Sequence, residues 1–226
     1  MPGKDEFSPV FFSAAADYVY FLERGYADKP LLKLIGDRFG LSRRQRHILF
    51  RGFSTGRDSL RRRSRLLKSI KGLQVHLDAY NVILTVMNHF LGNPLFICTD
   101  GLLRDVGENH GHIRDSRRFQ RAMEQVCSWL AAQEPEAVLA VFDSPVSHSA
   151  DHAGRFKACM DAHGLSGDTD LARSADYVLK RRSEGIIATS DSVIIDATAT
   201  PIVDIPRGCL ESTFNTSFPD LYRIQG

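Results

Sequence analysis

From residue 73 onward, short apolar runs alternate with helical segments, and this rhythm constrains the fold more than any other property of the chain. The strand candidates are "LQVHL" (73–77), "LFICT" (95–99), "AVLAVF" (137–142) and "GIIAT" (185–189), with "SVIID" and "PIVDI" as weaker ones. Helical stretches over roughly 81–90, 115–132, 150–163 and 171–182 separate the first four. Apolar strands joined by crossovers of that length run parallel, with helices on both faces. The expected fold class is therefore α/β: an α/β/α three-layer fold with a mostly parallel sheet, preceded by a small basic helical region. In such sheets ligands gather outside the carboxyl ends of the strands.

Those ends are acidic. "LQVHLD" ends at Asp78, "AVLAVFD" at Asp143, and "IIATSD" at Asp191 beyond a Thr-Ser pair. "LFICTD" adds Asp100, and Asp176 in "RSADYVLKR" opens a helix from which it would lean in. One such aspartate would read as a helix N-cap. Several on separate strands repel one another unless something neutralises them. A divalent cation does so directly, and an all-oxygen set favours Mg²⁺ or Mn²⁺ over zinc. The chemistry suited to such a cluster is phosphoryl transfer to water. Two long polar loops, "DGLLRDVGENHGHIRD" and "DSPVSHSADH", would add His110, His112, Arg114, Ser147 and His148 to the same edge as phosphate-holding or acid–base groups. Asp196 would back the cluster or serve a turn.

The order Asp-x-x-Asn after the first strand, "VFD" after a middle one, "SAD" at a helix start and "ATSD" after a later strand resembles the PIN-like nucleases, most nearly their NYN/YacP-type branch. The resemblance covers about residues 73 to 205, and "ADYVLKRRSEGIIATSD" is its most specific part. It implies a small parallel sheet whose clustered acids bind Mg²⁺ or Mn²⁺ and cut RNA. By position, Asp78, Asp143, Asp176 and Asp191 would be the metal ligands and catalytic acids. Asn81 would orient the Asp78 carboxylate or a bound water. The whole chain, including "LSRRQRHILFRG" and "DSPVSHS", is also similar to DUF434, a prokaryotic family of unknown function whose C-terminal half has been grouped with PIN-like domains.

Charge divides the chain. Residues 1–70 hold 15 Lys/Arg against 7 Asp/Glu, whereas residues 71–226 hold 14 against 20. The expected division is a basic helical region over 1–70 and the nuclease-type domain over 71–226. Helices are expected in "PVFFSAAADYVYFLERG", "DKPLLKLIGDRFG" and "LSRRQRHILFRG", the last with a Ser42–Gln45 capping box, and over 57–69. Between positions 43 and 68 ten basic residues face one acid. Arg43, Arg44, Arg46, Arg51, Arg57, Arg61, Arg62 and Arg65 are candidates for nucleic-acid phosphates, and Arg114 for one at the sheet edge; RNA is the expected polymer. Salt bridges to the acidic body, residues 71–226, are the competing use.

No apolar run approaches the ~20 residues needed to cross a bilayer. Asp17 interrupts the apolar part of the N-terminus, which makes it a poor signal peptide. The four cysteines form no CxxC pair. A cytoplasmic protein with reduced thiols and no membrane partner is expected, and pairing with a second copy stays open. Two other functions compete: a nucleic-acid-binding or scaffold protein without turnover, and a small-molecule phosphohydrolase. The latter ranks lower because "LDAYN" lacks Asp-x-Asp spacing.

Overall fold

The structure, a computed structural model, describes residues 6–106, 113 and 116–224. The chain divides into two compact units, one from Met1–Ser64, Gly92–Glu108 and Phe218–Gly226, the other from Arg65–Leu91 and Asn109–Ser217.

The first unit is built on four helices: α1 (Pro9–Leu22), α2 (Asp28–Arg38), α3 (Arg43–Gly52) and α4 (Gly56–Arg63). In α1 the buried positions Phe11, Ala14, Ala15 and Tyr18 follow the i, i+3, i+4, i+7 spacing of one helix face. The Ser8 hydroxyl accepts from the Phe11 amide to start it. The capping box expected at α3 is present: the Gln45 amide donates to Ser42 Oγ at 3.2 Å, and the Ser42 amide donates to Gln45 Oε1 at 3.0 Å. α4 ends at Arg63, six residues short of the expected helix.

The segment expected to supply the second parallel strand belongs to this unit instead. Strands β2 (Leu95–Ile97) and β3 (Leu103–Asp105) form an antiparallel hairpin with Ile97 opposite Leu103. Its turn contains Asp100-Gly101, with Gly101 at φ +87, a conformation that favours glycine. Phe96 and Cys98 join the helical core with Ile48 and Leu49. A short C-terminal helix, α11 (Leu221–Ile224), contributes Leu221 to the same core.

The second unit is the layered body. In chain order it contains β1 (Gln74–Asp78), α5 (Ala79–Phe90), α6 (Ser116–Ala132), β4 (Ala137–Asp143), α7 (Ser149–Ala162), β5 (Gly167–Ala172), α8 (Ala175–Leu179), β6 (Ile186–Ala188), α9 (Ser192–Ala197), β7 (Ile202–Val203) and α10 (Ile205–Phe214). The five strands form one sheet in the order β5-β4-β1-β6-β7, every neighbouring pair parallel, with helices flanking it. The three-layer α/β/α class expected from the sequence is the class observed. Val75 and Leu77 of the central strand are wholly buried, as are Val138, Ala140 and Val141 of β4.

Two local expectations change. Residues 167–172, placed in or beside a helix, form edge strand β5 with exposed Asp168 and Asp170. An edge strand needs little apolar content, so "GDTDLA" carries no strand signature. "SVIID" forms α9 rather than a strand, because Asp191 caps it by accepting from the Val193 amide at 2.8 Å.

Candidate active site

The chain leaves β1 toward β4 on one side and leaves β6 toward β7 on the other, so the sheet has its topological switch point between β1 and β6. Connections that diverge in this way open a crevice at the carboxyl edge, where α/β sheets bind ligands. Asp78 ends β1 at this point, and Thr189, Ser190 and Asp191 follow β6.

Register brings the acids together. Asp78 pairs with Val141 on β4, and Asp143 lies two residues further along that strand, on the same face by alternation. On the other side Leu77 pairs with Ala188, which brings Thr189 beside Asp78. The Thr189 hydroxyl donates to Asp78 Oδ2 at 2.8 Å and accepts from the Asp191 amide at 3.1 Å, so one side chain bridges two acidic residues. Asp143 Oδ1 accepts from the Ala175 amide at 2.8 Å, tethering the start of α8, whose second residue is Asp176. Asp176 pairs with Lys180 at 3.5 Å, one helical turn on.

Asp78 is 6% exposed. Burial pushes its carboxyl up to about 7; the Thr189 hydrogen bond opposes the rise, and Asp143, Asp191 and Asp176 reinforce it in that order. The four aspartates expected at the site therefore form one electrostatic cluster. Their geometry is open: among the described residues, no group of three or more His, Cys, Asp and Glu is arranged to hold a metal ion. The donor chemistry suits Mg²⁺, which retains several waters and needs only one or two carboxylates from the protein. The residues fit an ion held largely through water.

Asn81 does not orient the Asp78 carboxylate as expected. Its Oδ1 accepts from the Ser190 amide at 2.8 Å and from the Ser190 hydroxyl at 3.1 Å, pinning the turn that presents Asp191. One helical turn beyond Asp78, its side chain reaches across to the neighbouring strand end.

Sequence reasoning missed Thr189, Ser190 and the pair of a buried Tyr80 with a half-buried His152. The Tyr80 hydroxyl lies 3.0 Å from His152 Nδ1, and the Tyr80 ring packs edge-on against Phe142. Burial, then the Asp143 charge, pushes the Tyr80 hydroxyl up to about 12, and burial holds His152 below its ordinary value. The hydroxyl of the "ATSD" threonine is the one signal in the sequence that pointed to this polar support.

The other candidates fall in several places. Ser147 and His148 are exposed just before α7, with His148 at φ +64. Asp196 is exposed near the end of α9. His110, His112 and Arg114 lie outside the described residues. Asp100 does not join the cluster: it is buried in the first unit, 2.8 Å from Arg104 and 3.2 Å from Arg62. Burial alone would raise its carboxyl, but Arg104 and then Arg62 hold it below its ordinary value.

That triad uses Arg62 in the core of its own unit, and other candidate arginines are engaged as well. Arg44 pairs with Glu6, Arg46 with Asp37, Arg51 with Asp105 and Arg61 with Asp58. Arg65 donates to the carbonyls of Ile195 and Thr200, tying down the end of α9. Arg43 and Arg57 are exposed. Several of these arginines thus build the first unit, pairing with acids of that same unit, because long cationic side chains near a core are stable there only with partners.

No helix among the described residues is long and apolar enough to cross a membrane. In comparisons with known proteins, the family described as "Domain of unknown function (DUF5616)" matches residues 67–208, and "Protein of unknown function (DUF434)" matches residues 10–65. The DUF434 likeness, expected over the whole chain, is thus found in its N-terminal part. The uncharacterized protein MJ0935 of Methanocaldococcus jannaschii is 27% identical over 184 residues, covering 80% of this chain and 87% of that protein. No solved structure matches.

Proposed function

We propose that this chain, which belongs to the DUF5616 family, is a divalent-metal-dependent ribonuclease or RNA-processing phosphodiesterase, with a PIN-like body. The supporting observation is the Asp78 carboxyl at the sheet's switch point, raised chiefly by burial and further by Asp143, Asp191 and Asp176. Above neutral pH, where Asp78 ionises, a divalent cation at this ligand-binding edge would offset the repulsion among the four carboxylates.

Asp78, Asp143, Asp176 and Asp191 would hold Mg²⁺ or Mn²⁺, mainly through water. When bound, the ion supplies a water of lowered pKa and charge stabilisation for the phosphate. Asp78, fixed by Thr189, holds its carboxylate in the crevice floor. Asn81 and Ser190 keep Asp191 in place, and Asp143 fixes the start of the helix that carries Asp176. Exposed arginines such as Arg43 and Arg57 would contact phosphates of the strand. The four cysteines are free and buried, which suits a reducing, cytoplasmic setting.

A nucleic-acid-binding protein without turnover is the second reading, supported by the exposed Arg43 and Arg57 of the basic segment. The two separate on one experiment. Wild type and Asp191→Asn are incubated with pooled cellular RNA with and without Mn²⁺, and the ends produced are mapped. New ends that require both Mn²⁺ and Asp191 support the nuclease. Binding without new ends supports the second reading. Asparagine also caps helices well, so Asp191→Asn preserves α9.

A further inference from the structure

Close in sequence to the acidic cluster lie exposed apolar side chains that it does not use. Tyr177, next to Asp176, is 60% exposed, and Val193, two residues after Asp191, is 58% exposed. Tyr177 and Val193 thus lie within two residues of two of the four aspartates, on helices α8 and α9, which pack against each other.

Tyr177 is also held in place. The Arg181 guanidinium lies 3.3 Å from its ring centroid, and Arg181 Nη1 donates to the Tyr177 carbonyl at 3.2 Å. The Ser174 hydroxyl accepts from the Tyr177 amide, and the Ala175 amide is fixed on Asp143. The result is an aromatic ring with a cation stacked on it, one residue from Asp176, whose charge acts on Asp78. A purely acidic crevice repels a polyanion. A guanidinium supplies the opposite charge, and an ordered ring offers a π surface to a base at little further entropic cost.

We propose that Tyr177 and Arg181 form a stacking platform for an unpaired nucleobase of single-stranded RNA, next to the phosphate presented to the acidic cluster. This rests on the nuclease reading for its position but not for its test. The platform selects single strands, because bases paired in a duplex cannot leave the stack to reach the ring.

The test uses the Asp191→Asn protein, expected on the nuclease reading to leave RNA uncut, and a 12-nucleotide single strand containing 2-aminopurine. Binding is expected to quench the fluorophore. Tyr177→Leu loosens the complex roughly tenfold and abolishes the quench, whereas Tyr177→Trp restores both. Arg181→Gln weakens binding in the same direction, and a duplex of the same sequence gains nothing from Tyr177. Equal affinity and quench for Tyr177→Leu and its parent overturn the proposal. If wild type cuts RNA with Mn²⁺ while Tyr177→Leu still binds and quenches like its parent, the platform fails and the nuclease stands. If Tyr177 governs binding but wild type never cuts, the nuclease fails and the platform stands. Tyr177 is largely exposed, so its replacements are expected to leave the melting temperature unchanged.

Discussion

Replacing Asp78 by asparagine should make the protein more stable at alkaline pH while removing its function. In the folded chain the Asp78 carboxyl is pushed up to about 7 from an ordinary value of 3.8. Between these values the folded state keeps a proton that the unfolded chain has lost. Stability is therefore fully present below about pH 4, falls as pH rises, and its loss is complete above about pH 7. About three pH units at ~1.4 kcal/mol each sets an upper bound of ~4 kcal/mol, and relaxation around the ionised group trims this to between about 2 and 4. The asparagine side chain is neutral at every pH, and its carbonyl still accepts from Thr189. In chelator at pH 8 the variant is expected to exceed wild type by about 2–4 kcal/mol, and at pH 4 by less than about 1. Urea unfolding followed by circular dichroism at pH 4, 6 and 8 measures both. A variant no more stable at pH 8, or a gap that does not change with pH, refutes the picture of a buried and repelled carboxylate. Added Mn²⁺ should raise the stability of wild type at pH 8 and leave Asp78→Asn unmoved, because only an ion that binds the folded state stabilises it.

Thr189→Val removes the donor to Asp78 and the acceptor for the Asp191 amide. It is expected to cost about 1–3 kcal/mol, with the larger loss at pH 8, where the ionised carboxylate most needs the bond; the same urea series reads it. Asp100→Asn leaves Arg62 and Arg104 without their buried counter-charge and should cost about 3–5 kcal/mol, read from the denaturant midpoint. Replacing Arg43 and Arg57 together by glutamate should weaken single-stranded RNA binding and lower its salt slope by about 1–2, since each phosphate contact releases close to one counterion. A fluorescence titration at four salt concentrations checks it.

Where a strand was apolar and its partner parallel, the sequence was legible: "LQVHLD" and "AVLAVFD" became β1 and β4, with Asp78 and Asp143 at their ends. The fold failed to show where local chemistry competes with pattern. "LFICTDGLL" reads as a strand ending in an acid, yet its Asp-Gly pair is a hairpin turn signal. That turn takes Asp100 out of the cluster and into the Arg62–Arg104 triad. β5 was hidden because an edge strand with Asp168 and Asp170 shows no apolar alternation. The roles of Thr189 and Asn81 depend on which strands lie side by side, and residues more than 100 positions apart in sequence meet only through that register. The basic segment was visible as charge, but its division between core pairing and exposed positions was not, because composition does not reveal a partner.

Titration of Mn²⁺ into chelator-stripped wild type at pH 7, followed calorimetrically in two buffers of different ionisation enthalpy, tests the acidic cluster directly. Saturable binding with proton release is predicted, since Asp78 must ionise to face the ion, together with at least roughly tenfold weaker binding in Asp191→Asn. Absence of saturable binding in wild type, or equal binding in the variant, would contradict the assignment of a divalent cation to these four aspartates.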